Sequence, residues 1–274
     1  MARSNLQSLL SLLDDPNEDI AVTVMGELLK NETELMSMLG ELQESENKLL
    51  RKRVQQLETI IMLRNRRRDF LNKINSDTID IADALVELHL LYLDRDVPEM
   101  LRSMLDMFAS IVGNNNIGNI DELGEFMARN KFTLPLPEEV LGPENYCIGI
   151  ILEDRVGADI MLCMLAVIAG VQSNLRVNLV RLDGKFVVST PEGRFISPEN
   201  DWMPEQITDQ MVDLKWNCPA CVLKYASLML FLHAVSSDNF RSIYTIAMAV
   251  CGGDDDFFTD FLPYPYNGKN PENH

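Results

Sequence analysis

The sequence has few basic residues: 24 lysines and arginines stand against 42 acidic residues, which gives a formal net charge of -18. A surface this acidic repels phosphate backbones, so we expect no nucleic acid partner. The chain also lacks a glycine-rich phosphate loop, a paired-carboxylate motif and a serine elbow, which are patterns of common nucleotide-binding and hydrolytic sites. These absences argue against a nucleotide-binding enzyme with a phosphate loop and against a hydrolase that uses paired carboxylates or a serine elbow.

Long apolar runs are scarce as well. The longest, from Ile160 to Val171, is shorter than a membrane span and is predicted to be a buried helix. Asp14 and Asp15 interrupt the apolar start at Leu9 to Leu13, so we expect no secretory signal. Five cysteines, an odd number without the spacing of a small disulfide scaffold, are typical of reduced thiols. These features predict a cytoplasmic protein that does not contact a membrane.

Hydrophobic residues make up 46% of the chain, which is enough to bury a substantial core. Residues 1–115 are predicted to be a helical N-terminal region of short amphipathic helices, similar to a HEAT-like array. One helix should follow Asn17, and another should begin at a capping box formed by Asn31 and Glu34. A third and longer helix has its apolar face at Leu50, Val54, Leu57 and Ile61.

The polar break at Asn114 to Gly118 marks a candidate domain boundary, and residues 116–210 are predicted to form an α+β core. Its helix from Asp159 to Ala169 is apolar on every side, so it should be buried all round. A strand pattern follows at Leu175 to Leu179, and Asp183-Gly184 is a strong signal for a two-residue hairpin. We therefore expect a small antiparallel meander packed on the buried helix.

Residues 211–262 are predicted to form a helical hairpin, and residues 263–274 a tail. The two helices, Ala220 to Val235 and Asn239 to Val250, are joined by Ser236 to Asp238. One hairpin alone cannot bury both of its faces, so it should dock against the core. The acidic run Asp254 to Asp256 lacks the spaced ligands of a calcium loop and is expected to be solvated. The hairpin resembles a tetratricopeptide unit through Tyr225, Ala234, Phe240 and Ala247.

The central stretch resembles the bacterial SirB family, transglutaminase-like proteins with tetratricopeptide helices at the C-terminus. Two anchors carry the resemblance: Ile151-Leu152-Glu153-Asp154-Arg155-Val156-Gly157, similar to the family's entry to its buried helix, and Gly184-Lys185-Phe186, similar to its glycine-histidine-phenylalanine strand. Gly157 and Gly184 are 27 residues apart (184 minus 157), the interval expected from the family. The resemblance implies a transglutaminase-like core within a mainly helical α+β protein.

The resemblance also implies which residues stand at the catalytic cysteine, histidine and aspartate positions, namely Asp159, Lys185 and Ser197. A carboxylate at Asp159 suits a helix N-cap but cannot replace a thiolate. A protonated Lys185 cannot accept a proton, and Ser197 is too weakly polar to hold an imidazolium. We therefore expect a non-catalytic module for protein–protein interaction or regulation, with an Asp159–Lys185 ion pair in the cleft as a hypothesis. Its protein partner is not identified by the sequence.

Two cysteine-dependent alternatives stay open. Cys163 lies one helical turn after Asp159 and would be a displaced nucleophile if Lys185 lowered its pKa; otherwise it is a small apolar core residue. Cys218-Pro219-Ala220-Cys221 is a C-x-x-C at the start of a predicted helix. It could serve as a redox pair or as half of a metal site, but no second pair completes such a site. We expect no cofactor and no bound metal.

The remaining candidates are interpreted as structural. His89 lies on an apolar helix face and is expected to be a hydrogen-bonded core residue, while the fifteen methionines are expected to fill gaps in the core rather than build a binding groove. A basic run is interpreted as the solvated face of a long helix, with docking of an acidic partner segment as the alternative. It comprises Arg51, Lys52, Arg53, Arg64, Arg66, Arg67 and Arg68.

Overall fold

The computed structural model describes residues 2–76, 79–139, 141–207, 212–216 and 218–251, and these form a mainly helical α+β protein. The described chain divides into two compact units, one extending to Arg66 and one beginning at Arg67. The boundaries predicted at residues 115 and 210 stay predictions. The run Asp254 to Asp256, His274 and the predicted tail at 263–274 lie outside the described residues.

The first unit contains three helices and the start of a fourth. They are α1 (Ala2–Leu10), α2 (Glu18–Leu28), α3 (Glu32–Leu42) and α4 (Lys48–Ile74), and α4 continues into the second unit. The predicted cap at Asn17 is confirmed, since its side chain accepts the Asp19 N–H. The predicted capping box at Asn31 is wrong: Asn31 ends a 3-10 turn and makes no side-chain cap. The buried core of the unit comprises Leu6, Leu13, Val24, Leu28, Leu35, Leu39, Val54, Leu57 and Ile61.

Arg53 corrects the interpretation of the basic run, because its side chain is buried among these core residues at 2% exposure. Its Nη1 donates to the Leu13 carbonyl at 2.7 Å and also to the Asp15 carbonyl, and its Nη2 lies 3.7 Å from the Glu18 carboxylate. These carbonyls lie where the chain turns between α1 and α2, so Arg53 holds that turn against α4. Arg64 is also engaged, in an ion pair with Glu32 at 2.8 Å.

The second unit is organised around one buried helix. Its helices are α5 (Ile81–Tyr92), α6 (Pro98–Gly113), α7 (Ile120–Arg129), α8 (Ile148–Asp154), α9 (Asp159–Gln172), α10 (Pro219–Ser236) and α11 (Phe240–Cys251). Ten of the fourteen residues of α9 are buried, which confirms the prediction from its apolar composition. Helices α5, α6 and α7 and the sheet all pack against α9.

The sheet has five strands in the described residues, β1 (Asn178–Leu182), β2 (Lys185–Ser189), β3 (Arg194–Ile196), β4 (Glu205–Gln206) and β5 (Val212–Lys215). Their order is β4-β3-β2-β1-β5, and every pairing is antiparallel. The predicted hairpin is confirmed: Leu182 pairs with Lys185 across Asp183 and Gly184, which both have positive φ. The two edge strands β4 and β5 were not predicted.

The C-terminal hairpin packs on the core as expected. Helices α10 and α11 pack against each other, and both contact α5. Helix α10 is long and apolar enough to cross a membrane by length and composition, although 44% of it is buried inside the structure. A core helix of a folded domain meets the same criteria, so this feature leaves the expected cytoplasmic location as a prediction.

Candidate functional site

The resemblance to the SirB family implies that the catalytic cysteine position lies at the start of α9. Asp159 stands at that position. The helix begins at Asp159, as predicted, but the N-cap residue is Ala158 and not Asp159. The Asp159 carboxylate accepts the N–H of Ile160 at 2.7 Å and the N–H of Phe186 at 3.1 Å. Asp159 therefore joins the start of the buried helix to strand β2.

Burial is the main influence on the pKa of Asp159. Loss of solvent raises the pKa of its carboxyl above the ordinary 3.8, and the nearby Glu199 charge raises it further. The N–H groups of Phe186 and Ile160 and the charge of Arg181 oppose this by stabilising the carboxylate. The net effect is a raised pKa, so the ionised carboxylate is less favourable in the folded protein than in the unfolded chain.

Replacing Asp159 with asparagine should therefore change how stability depends on pH. Because the folded pKa is raised, the contribution of Asp159 is greatest below its unfolded pKa and is lost as the pH rises through the folded pKa. Asparagine cannot ionise, so the free energy of unfolding of Asp159→Asn should rise relative to wild type as the pH increases above 3.8, the ordinary pKa of an aspartate. Urea unfolding across this range measures the difference, and a difference independent of pH would contradict the assignment.

Cys163 lies one turn further along α9 and is fully buried. Its Sγ donates to the Phe186 carbonyl at 3.2 Å, so Asp159 and Cys163 bind the two polar backbone groups of the same residue. Burial raises the pKa of the Cys163 thiol well above its ordinary value, and the Asp159 charge adds to the effect. The alternative in which Lys185 lowers this pKa has no support, because the Cys163 pKa is raised by burial and by the Asp159 charge; the burial agrees with the interpretation of Cys163 as a small apolar core residue.

Lys185 precedes Phe186, whose N–H binds Asp159, but Lys185 and Ser197 both interact with Glu199. The Lys185 ammonium forms an ion pair with the Glu199 carboxylate, which is the main cause of its raised pKa. Ser197 is buried, and its Oγ accepts the Glu199 N–H at 3.1 Å at the start of a 3-10 turn, Pro198–Asn200. The hypothesised Asp159–Lys185 ion pair is therefore wrong, and Glu199 is the partner that sequence reasoning missed. Pro198 after Ser197 was a signal for the turn.

An aromatic cluster closes the site on the side of α10. Phe186 of β2 lies edge-on to Trp216, with ring centroids 5.3 Å apart, and to Tyr225 of α10, at 5.1 Å. The Arg181 guanidinium lies over the rings of both Phe186 and Tyr225. Phe186 thus binds Asp159 and Cys163 through its backbone and packs on α10 through its ring. The cluster joins the sheet to both helices.

Among the described residues, no histidine belongs to this cluster. His89 of α5 is buried: its Nδ1 accepts the Gly149 N–H at 3.1 Å, which leaves the proton on Nε2 for the Asp96 carboxylate at 2.7 Å. This confirms the prediction of a hydrogen-bonded core residue. His233 lies beside the Tyr146 ring, with centroids 5.8 Å apart. Each of the two imidazoles that the structure describes therefore interacts with groups other than the Cys163 thiol.

The C-x-x-C pair opens α10 as predicted. Cys218 is the N-cap, Pro219 is the first helical residue, and Cys221 is exposed in the first turn. Among the described residues, no group of three or more histidine, cysteine and acidic side chains is placed to hold a metal ion. The pair could exchange thiols for a disulfide, but the described residues offer it no further metal ligands.

No family model, curated protein or solved structure matches the chain. The resemblance to the SirB family therefore stays a prediction. What stands is the class defined by the fold, a mainly helical α+β protein with a small antiparallel sheet.

Proposed function

We propose that this chain is a non-catalytic protein with a transglutaminase-like core, used for protein–protein interaction or regulation in the cytoplasm. One observation carries the proposal: the carboxylate of Asp159 fills the start of α9 and is bound by the N–H groups of Ile160 and Phe186. A nucleophile at this position would need a free lone pair and a neighbouring base. Lys185, at the expected base position, is instead engaged by Glu199.

The order of elements supports the proposed core. A helix that is buried all round is followed by an antiparallel meander, and strand β2 packs directly on that helix. The proposal treats the helices of the first unit as a HEAT-like array and the α10–α11 hairpin as a tetratricopeptide-like unit, both of which are interaction modules. Such modules bind proteins through helix surfaces rather than through reactive side chains.

The enzyme alternative that uses Cys163 has little support. Its thiol is fully buried, its proton is donated to the Phe186 carbonyl, and burial raises its pKa. A thiolate would lose both solvent and this hydrogen bond, so it would form rarely near neutral pH.

A specific observation favours a second candidate function, thiol redox chemistry at Cys218 and Cys221. Cys218 occupies the N-cap position of α10 and Cys221 is exposed one turn later, where an oxidant can reach it. The two thiols would lose two protons and two electrons to hydrogen peroxide, which is reduced to two waters as the S–S bond forms. This candidate uses a different part of the molecule from the Asp159 cluster.

Site-resolved alkylation with iodoacetamide tests the proposed function. In the folded protein we expect Cys221 to react fastest, while Cys163 and Cys147 stay unmodified from about pH 7 to pH 9 because both are buried with raised pKa. Mass spectrometry reads each cysteine separately, and denatured protein is the control in which all five should react. Fast labelling of Cys163 in the folded protein below about pH 8 would overturn the non-catalytic proposal.

A further inference from the structure

Helix α6 has two apolar faces although only one of them is buried. Leu101, Leu105, Phe108 and Val112 belong to the core of the second unit. A second stripe runs along the helix with alternating spacings of three and four residues, the pattern of a helix that packs against another helix. This methionine stripe comprises Val97, Met100, Met104, Met107 and Ile111.

The methionine stripe is open to solvent. Met100 and Met107 are each 63% exposed and Val97 is 49% exposed, while Met104 and Ile111 are half-buried. The expectation that the methionines fill core gaps is therefore wrong for Met100 and Met107. Unbranched thioether side chains adapt their shape to a partner, so exposed methionines suit a surface that receives apolar side chains.

A cavity of about 190 Å³ lies beside the stripe, between α6 and α8. Its lining includes Met100, Met104 and Leu101 from α6, and Gly149 and Ile150 from α8. Such a cavity can receive one large apolar side chain next to the stripe. The surface is therefore a groove with a pocket rather than a flat helix face.

The floor of this groove is rigid. A Cβ on Gly149 would come within 2.8 Å of both His89 Cε1 and Leu101 Cδ2, so only glycine lets α8 approach this closely. The His89 ring is fixed from both sides by the Gly149 N–H and the Asp96 carboxylate. A pocket held by such contacts exists before a partner binds, which lowers the entropic cost of association.

Carboxylates predominate among the exposed charged residues of the two helices. Arg102, an exposed cation of α6, lies 3.5 Å from the Asp83 carboxylate and is partly neutralised. Arg95 lines the cavity, but Asp96 and Glu153 line it too. Of the exposed acidic residues of the two helices, Glu153 on α8 lines the cavity, while Glu99 and Asp106 on α6 and Asp154 on α8 add to the negative charge of these helices.

We propose that this groove binds a basic amphipathic helix of a protein partner. The apolar face of such a helix would pack on the methionine stripe, with one large side chain in the cavity, and its lysines and arginines would face the surrounding carboxylates. The proposal rests on the proposed interaction function and adds to it a surface and a class of partner. The net charge of -18 favours the encounter of a basic segment with this unit.

Binding of a synthetic helix tests the proposal. The probe is an 18-residue peptide of leucine and lysine with its leucines at helical spacing, and the matched control replaces every lysine by glutamate. We expect the lysine peptide to bind and to slow hydrogen peroxide oxidation of Met100 and Met107, as read by mass spectrometry. Met203, which is 55% exposed elsewhere in the unit, should oxidise at an unchanged rate.

Variants provide a second readout. Glutamate at an exposed stripe position adds a charge where leucines would pack, so Met100→Glu and Met107→Glu should weaken peptide binding at least about tenfold. Met203→Glu is the matched control and should leave the affinity unchanged. Oxidation of Met100 and Met107 that the lysine peptide does not slow, or equal binding of the glutamate peptide, would overturn the groove assignment. That failure would not affect the expected lack of reaction at Cys163, on which the proposed function depends. A reactive Cys163, in contrast, would overturn the proposed function itself.

Discussion

Replacing Arg53 with alanine should lower the free energy of unfolding of the first unit by about 3 to 5 kcal/mol. The substitution removes the donors to the carbonyls of Leu13 and Asp15 and leaves a space in a core where the guanidinium is 2% exposed. A buried carbonyl without a donor costs about 1 to 3 kcal/mol. The hydrogen bond to the Leu13 carbonyl is buried and the one to the Asp15 carbonyl is partly buried, so the second loss costs less. Hydrogen exchange of peptides covering residues 6–28, measured by mass spectrometry in the full chain, reports the loss.

Two further variants separate the causes of that effect. Arg53→Met fills most of the space without supplying a donor, so its cost measures the two hydrogen bonds. Lys52→Ala removes an exposed charge from the neighbouring position of α4 and should change stability by less than about 0.5 kcal/mol. Equal and small effects of Arg53→Ala and Lys52→Ala would show that the basic run is a solvated face after all.

The secondary structure of this chain could be predicted wherever a local pattern determines it. The uniformly apolar α9, the Asp183-Gly184 hairpin and the cap at Asn17 each depend on residues that are neighbours in sequence. Arg53 could not be predicted in the same way. Its burial depends on the carbonyls of Leu13 and Asp15, about 40 residues earlier, and nothing in the charge pattern of α4 distinguishes it from Lys52.

The candidate site shows the same limit at closer range. The resemblance to the SirB family implied that Asp159, Lys185 and Ser197 share one cleft, and the structure connects these positions through Phe186 and Glu199. Spacing could not show which acidic residue pairs with Lys185, because Asp159 and Glu199 are both within reach in a fold of this kind. Burial decides it: Asp159 is held by backbone N–H groups, whereas Glu199 stays near the surface, where the ammonium is solvated.

Gly124, the glycine of α7, is not distinguished by any sequence pattern, but the structure packs it tightly against a neighbouring loop. A Cβ there would lie 2.3 Å from the Trp202 carbonyl oxygen and 3.2 Å from Ile196 Cγ2. Glycine at this position lets α7 pack directly against the backbone that follows Ser197. The contact therefore supports the loop that carries one of the predicted site residues.

The Trp202 carbonyl has little freedom to move away from an added methyl group. The Trp202 indole is buried, and its Nε1–H donates to the Phe132 carbonyl at 2.7 Å. The backbone N–H of Trp202 donates to the Ser197 carbonyl at 2.8 Å. Asp201 and Trp202 both have positive φ, which is uncommon for residues with side chains and leaves few alternative conformations for the loop.

Gly124→Ala should therefore lower the free energy of unfolding by about 3 kcal/mol, near the upper end of the usual cost of overpacking. The loss should occur although alanine favours helix over glycine by about 1 kcal/mol. Both tryptophans of the chain, Trp202 and Trp216, lie in the second unit, so their fluorescence during urea unfolding reports this change directly.

Gly26→Ala is the matched control, because a Cβ at Gly26 of α2 meets no atom within 4 Å. Without a clash only the helix propensity acts, and the first unit of the variant should be more stable than that of wild type by about 0.5 to 1 kcal/mol. Because both tryptophans lie in the second unit, hydrogen exchange of peptides covering residues 6–28 measures this effect. Opposite signs at the two positions would show that contact with the Trp202 carbonyl, and not the loss of glycine itself, determines the effect at Gly124. A neutral Gly124→Ala would mean that the loop after Ser197 can shift, and the close packing of α7 on it would no longer explain how the site is held.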